Sequence, residues 1–410
     1  MSSETAPLFT RRFFTMCGFT FTVFLSAFQM LPTTPFRILD TGGSTFAAGL
    51  FLGFLTYSSA LTGPITGALA DRLGKRRILI ANSLVIAGFS LAYGLSTSYV
   101  VPLILVLFHG FFWSGLLSAS SAYMTDFIPE SRRAEGIGYW GMSTMLAVAV
   151  APSVGFWFYH FGWGWLCASV GVLNLGMAAI AFSLDESPVA ARMTREHFFS
   201  RDLIEWRIVV VAFSLFLCSF GYGGVTSFVA LFAERNGITP KGVFFTTFAI
   251  VTIVTRVFSG RLADRIGHRK FLLPCLGLVG AGFALLVIAE SRLGLIAAAL
   301  VFGTGFGNMY PAFVAHVVRF FDPARRGAIF GGILAAFDTG IGTGSIVLGW
   351  IIEHYGFRPA WLVATALSAL SIPYFLWSER RFLRTSASTR GRNAGRRKAE
   401  AGLHPGPDYS

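Results

Sequence analysis

What most limits the fold of this chain is the grouping of its apolar residues into twelve long blocks separated by short polar stretches. A helix needs about 20 largely apolar residues to cross a hydrocarbon core of roughly 30 Å, where the backbone must satisfy its own hydrogen bonds. By that measure the blocks run at about 13–36, 43–70, 78–96, 100–128, 136–160, 164–184, 207–232, 240–263, 271–290, 293–319, 327–354 and 358–378. Only 13% of the 410 residues are charged, about half the share usual in soluble proteins. A water-soluble enzyme and a disordered chain are both excluded. The expected class is an all-α membrane protein with twelve transmembrane helices, here called spans 1 to 12.

The formal charge is +13, and its placement explains it. Of the 33 Lys and Arg residues, 27 fall in the N-terminus, the tail and the loops after even-numbered spans, whereas five fall on the opposite side. Positive loops stay in the cytoplasm, so both termini are expected there, in a cell (inner) membrane. The same asymmetry accounts for the basic balance without a nucleic-acid partner. Arg11 and Arg12 precede an apolar run that continues to about Leu31, too long for a cleaved signal and without a small-residue cleavage site. Cys17, Cys167, Cys218 and Cys275 each sit inside an apolar block, with no spacing that suggests a metal site or a disulfide framework. No metal and no cofactor are expected.

The two halves repeat. GALADRLGKRR at Gly67–Arg77 and GRLADRIGHRK at Gly260–Lys270 share seven of eleven residues at an offset of 193. The same offset aligns Arg132 with Arg325, Arg133 with Arg326 and Gly138 with Gly331. A six-span unit present twice, in parallel because six is even, predicts two pseudo-symmetric six-helix bundles with a central site between them. The expected organisation is an N-terminal bundle over 1–184, a cytoplasmic linker over 185–206, a C-terminal bundle over 207–378 and a disordered basic tail over 379–410.

These two segments resemble the loop signatures of the major facilitator superfamily, G-x-x-x-D-R-x-G-[RK]-[RK], and the likeness covers nearly the whole chain. Within that superfamily the chain is similar to bacterial drug-exporter and sugar-efflux-like permeases. GFGNMYPAFVAHVVRFFDPARRGAIFGGILAAFDTGIGTGS looks like their spans 10 and 11. The resemblance implies a secondary transporter working by alternating access, with its central site lined mainly by spans 1, 4, 7 and 10.

The signatures suggest a conformational latch. Gly67 allows close helix approach, and Asp71 ends span 2 where a carboxylate can meet the positive N-terminus of a neighbouring helix. In the family that neighbour is span 11, beginning near Gly327 here. Arg72, Lys75 and Arg76, on either side of Gly74, follow at the cytoplasmic surface, and Asp126 matches the acid that pairs with this basic cluster in relatives. The alternative is that these charges only enforce topology and packing. In the second copy, Gly260, Asp264, Arg265, Gly267 and Arg269 repeat the pattern, but His268 replaces Lys75 and Arg319 replaces Asp126, so any latch there needs other partners. Span 5 carries Gly138, Pro152 and Gly155 where exporters of this family show a glycine- and proline-rich pattern, with Ala147 and Ala151 as small substitutes and Phe156 breaking the final pair.

Of the twenty acids, Asp338 falls nearest the middle of the membrane, about 17 Å along span 11. An acid there costs roughly 2.5 to 3.5 kcal/mol on the most lenient scale, so it must face a cavity or a partner. Helical spacing puts Gly331, Asp338, Gly342, Ser345 and Gly349 on one protein-facing stripe and turns Ile333, Phe337, Ile341 and Leu348 to lipid. Asp338 reads as a proton-coupling or substrate-orienting carboxylate, or as a structural acid paired with Arg256 or Arg319. Arg256 in span 8 either snorkels or meets an anionic substrate or Asp338. Gln29, His109, Asn174, Tyr222, Asn308 and Tyr310 are candidate cavity liners, each of which can equally be an interhelical hydrogen bond. Pro32 and Pro35 bend the outer end of span 1, and Pro311 makes a similar break in span 10.

No HExxH, GxSxG or DxDxG pattern occurs, and the Gly-rich runs Gly303–Gly307 and Gly340–Gly344 lack a phosphate-loop lysine. Without a nucleotide-binding domain, transport must draw on a gradient. The expected activity is proton-coupled export of a small organic molecule by a monomer in the bilayer. The alternatives are a sugar or organic-acid permease and, from another class, a non-transporting membrane sensor on the same scaffold.

Overall fold

A computed structural model describes residues 7–129, 132–186, 206–321 and 326–384. The expected linker, apart from its ends, and most of the expected tail lie outside these residues. All twelve spans are present, close to their expected bounds. In the N-terminal half, span 1 is Arg11–Met30 resumed as Thr34–Asp40, and spans 2 to 6 are Thr45–Leu73, Lys75–Leu95, Val100–Phe127, Arg133–His160 and Trp163–Phe182. In the C-terminal half, spans 7 to 12 are Trp206–Arg235, Val243–Ile266, His268–Ile288, Arg292–Val318, Arg326–Tyr355 and Phe357–Ser378. Span 12 then continues as a π-helical turn, Glu379–Arg384, so the chain stays ordered past the expected start of the tail.

The two halves pair their spans alike. Span 1 packs on 5 and 6, 2 on 4, and 3 on 4 and 6; correspondingly, span 7 packs on 11 and 12, 8 on 10, and 9 on 10 and 12. The repeat also holds in the tight turns. Gly74 and Gly267, 193 residues apart, join spans 2 to 3 and 8 to 9 with φ of +95° and +90°. Side chains rarely tolerate that region, which is why glycine recurs there.

Span 1 breaks where its prolines predict. Pro32 and Pro35 cannot donate backbone N–H groups, and threonine hydroxyls take over part of the bonding: Thr33 donates to Gln29 O at 2.6 Å and Thr34 to Met30 O at 2.7 Å. Span 10 differs from expectation. Pro311 lies inside an unbroken helix, as Pro152 does in span 5.

The apolar core shows how the halves meet. One cluster runs through the C-terminal half and joins the part of the N-terminal half distant from the termini, taking in Phe28, Phe51, Tyr93, Val148 and Trp163. A second, separate cluster fills the end near the termini, with Phe13, Ala70, Tyr123 and Met177. Among the described residues the halves thus share a core at the far end and none at the terminal end. Span 11 lies between span 7 of its own half and span 2 of the other. For that reason Ile333, Ile341 and Leu348, expected on the lipid side, are buried, while Phe330, Leu334, Val347 and Trp350 form its exposed face.

Candidate functional site

Two seams join the halves. In the first, spans 2 and 11 cross antiparallel. Ser345 donates to Gly49 O at 3.0 Å, and Tyr57 and Thr343 share a hydrogen bond of 2.6 Å. The backbones touch: a Cβ on Gly49 would overlap the Ser345 carbonyl, and one on Gly349 would stand 2.8 Å from Thr45 O. In the second seam, between spans 5 and 8, Thr246 donates to Ala149 O at 2.7 Å, and Lys241 lies 4.6 Å over the Phe36 ring and 5.7 Å from Phe156. All these contacts lie toward the far end. Toward the terminal end the seams part, and a Cβ added to Gly67, Gly138, Gly260 or Gly331 would meet nothing within 4 Å. The close packing expected at Gly67 and Gly138 is therefore not made in this conformation.

A charge stands at mid-depth on each seam, and both come from the C-terminal half. Asp338 lies one turn from Gly342, which touches Gly53 and Thr56 of span 2, on the side where the halves separate. It makes no hydrogen bond or ion pair among the described residues. Tyr310 is its electrostatic neighbour, with its ring 5.1 Å from Phe337. The aromatic wall continues through Phe306, 5.8 Å from Phe337, to Tyr222, stacked 4.3 Å from Phe306.

Arg256 does not pair with Asp338. Its Nε and Nη2 donate to Gly307 O at 3.3 and 3.2 Å. That carbonyl would ordinarily accept from the amide of residue 311, which is proline, so the guanidinium satisfies an acceptor that Pro311 leaves open. Span 10 thus runs continuously through its proline with that acceptor satisfied. Nη1 reaches across the second seam, 3.2 Å from where a Cβ on Gly141 would sit. Arg319 is also engaged elsewhere, donating to His316 Nδ1 at 2.8 Å. Both structural pairings considered for Asp338 are thereby absent.

The remaining polar candidates separate into two groups. Gln29 accepts from Ser169 at 2.9 Å and underlies the Gly155 contact with span 1, while Asn308 donates to Thr255 at 3.0 Å; both are interhelical ties. His109 and Asn174 lie within the N-terminal bundle, beside a cavity of about 30 Å³, room for a water or two. There His109 Nδ1 meets the Tyr93 hydroxyl at 3.1 Å, and Asn174 Oδ1 is buried without a partner.

At the terminal end each half carries a buried ion cluster. Lys75, expected at the surface, is 6% exposed and donates to Asp126; Arg76 donates to Phe182 O at 2.7 Å. In the C-terminal half, Arg269 donates to Glu379 at 2.7 Å, and His316 meets the other Glu379 oxygen at 3.1 Å. Arginine only donates, so Nδ1 of His316 must accept from Arg319, and Nε2–H donates to Glu379. Glu379 is fully buried and was not singled out from the sequence, although the 193-residue offset aligns it with Glu186, which lies against Gly74. Among the described residues Asp264 faces only His268, at 3.8 Å, and Arg265 is exposed. Asp71 makes no hydrogen bond or ion pair among the described residues.

Residues 13–245 and 211–405 match the family model of the Major Facilitator Superfamily. The chain belongs to that superfamily. Among relatives of this transporter, "Uncharacterized MFS-type transporter YhhS" of Escherichia coli (strain K12) is 24% identical over 363 residues, covering 86% of this chain and 89% of that protein. "Multidrug resistance protein 2" of Bacillus subtilis (strain 168) is 24% identical over 315 residues, covering 72% and 78%. The crystal structure of the nucleoside transporter NupG superposes with a TM-score of 0.74 at 16% identity, over 90% of this chain and 99% of that one. The superfamily fold, with twelve spans in two bundles and a multi-pass place in the membrane, is that of this chain.

Proposed function

We propose that this transporter exports a small, moderately apolar organic molecule in exchange for protons, rocking its two halves about the seams as a monomer with both termini in the cytoplasm. The observation that carries the reading is Asp338: a membrane-embedded carboxylate with no described partner, placed where the first seam opens. Removal from water favours the neutral form of an acid, so a carboxyl group in such a place takes up and releases a proton as its surroundings alternate between dry and wet. The aromatic wall of Tyr310, Phe337, Phe306 and Tyr222 supports an apolar or amphipathic cargo. Outward transport is supported by the relative named Multidrug resistance protein 2 and by the partial exporter pattern in span 5.

The test uses everted vesicles energised by respiration, with a panel of fluorescent amphipathic dyes. The expected result is proton-driven uptake by the unaltered protein and none by Asp338→Asn, with energy-independent exchange of dye retained. Full proton-driven uptake by Asp338→Asn would remove the coupling role.

A second reading rests on Arg256, which has no carboxylate partner among the described residues and turns one guanidinium nitrogen toward the N-terminal half. It favours an organic acid as cargo. In that case Arg256→Gln abolishes transport of organic anions and leaves uncharged dyes unaffected.

A further inference from the structure

Spans 2 and 11 carry the same spacing in opposite directions. In span 2 it is Gly49, then Gly67 after 18 residues and Asp71 after four more; in span 11 it is Gly331, Gly349 and Glu353 at the same intervals. Eighteen residues make five helical turns, so each pair of glycines lies on one face with the acid one turn beyond. Asp71 and Glu353 each stand two residues before the end of their helix.

Because the helices are antiparallel, this spacing gives the seam an approximate two-fold axis. At the far end Gly349 packs on Gly49, and Glu353 Oε2 accepts from the Phe46 amide at 2.8 Å. Phe46 is the second residue of span 2, where the helix leaves its first amides without internal acceptors. The next amide, of Ala47, is taken by the side chain of Ser44 at 3.2 Å, which also meets the Glu353 carboxylate. An acid from one half thus caps a helix of the other. At the terminal end the equivalent elements are apart: a Cβ on Gly67 or Gly331 would meet nothing within 4 Å, and Asp71 makes no hydrogen bond or ion pair among the described residues.

We propose that Glu353 is a positioning residue of the transport cycle: it caps span 2 and holds the far end shut, as the far-end counterpart of the latch that the family resemblance gives to Asp71 and span 11 when the terminal end shuts. The resemblance gives span 11 as the partner of Asp71, and the two-fold relation narrows it to one amide. Phe46 precedes Gly49 by three residues, so the matching amide is that of Ala328, three before Gly331. One cap breaks as the other forms, so the two contributions nearly cancel over the cycle. The equilibrium between states therefore stays close to balance while each state remains well defined. A carboxylate at a helix N-terminus, exposed as Glu353 is, shifts such an equilibrium by about three- to fivefold.

This inference rests on the alternating-access reading but not on protons or on any cargo. The test places spin labels on Thr97→Cys and Glu290→Cys, exposed far-end positions in opposite halves, with the native cysteines changed to alanine. Pulsed distance measurements then give the far-end-open fraction in liposomes. The expected result is a three- to fivefold rise in the open-to-closed ratio for Glu353→Gln, a comparable fall for Asp71→Asn, and a return toward the starting value in the double variant. Hydrogen exchange at the Phe46 amide should quicken in Glu353→Gln, and unchanged thermal stability shows that the variant folds. Equal ratios in Glu353→Gln and the starting protein, or shifts of one sign in both single variants, would overturn the proposal. One fixed distance in every variant, including with the seam disrupted by Gly349→Leu, would overturn alternating access as well.

Discussion

In the turn between spans 2 and 3, Gly74 is followed by Lys75, which is buried against Asp126. In the turn between spans 8 and 9, Gly267 has nearly the same backbone angle, yet the next residue, His268, reaches Asp264 at 3.8 Å. The buried pairing has moved one residue along, to Arg269, and its acid now comes from beyond span 12 instead of span 4. Backbone geometry and charge pairing have therefore separated between the two copies. A positive φ admits essentially one residue type, whereas a buried cation accepts a carboxylate from any helix that can bring one within about 4 Å. The backbone of this region repeats; its ion pairs do not.

The sharpest way to test that contrast is to remove the acids. Glu379→Ala leaves His316 and the largely buried Arg269 facing a void, and should cost about 3 to 5 kcal/mol, read as a large fall in Tm in detergent. Asp126→Ala leaves Lys75 facing the void and should cost about 3 kcal/mol, the lower end of that range, since the flexible lysine stem can carry its charge toward solvent. A larger loss for Asp126→Ala would mean that Lys75 cannot relax in this way.

Next comes the exchange of charges for apolar groups. The double variant Lys75→Met with Asp126→Leu should recover most of the stability lost in either single variant, since a buried pair replaced by well-packed apolar side chains is often neutral. Failure to recover would show that the pair also holds spans 3 and 4 in register.

The smallest effect concerns the glycines. Gly267→Ala should cost about 1 kcal/mol for its backbone angle alone, because a Cβ there meets nothing within 4 Å. Gly74→Ala should cost more, since its Cβ would also stand 2.6 Å from Glu186 Oε1. Equal values would show that the Glu186 side chain yields freely.

Much of the fold was legible without coordinates. Span lengths, the bend at Pro32 and Pro35, the repeat and the meeting of Asp126 with the basic cluster after span 2 all follow from composition, prolines, offset and resemblance. The site was less legible. Asp338 stood out because a carboxylate among apolar residues needs a reason, but nothing in its neighbourhood along the chain says that Arg256 is committed to the carbonyl freed by Pro311. Glu379 was hidden by its position, after the last apolar block and inside what read as a basic tail. Glu353 looked like an ordinary acid at a helix end until its partner, 307 residues away, was in view.

The sequence by itself determined how many times this chain crosses the bilayer, where each crossing begins, and that one half is built like the other, because the solvent imposes the length of an apolar helix and sterics impose glycine in the turns. Only the tertiary structure decided which apolar faces meet protein and which meet lipid. Ile333 and Leu334 are equally apolar, and the bilayer offers no difference in hydrophobicity to sort them. The tertiary structure likewise decided which end of the seams is shut. Both ends carry the same spacing of glycines and acid, so the choice rests on which of two nearly equal sets of contacts is made.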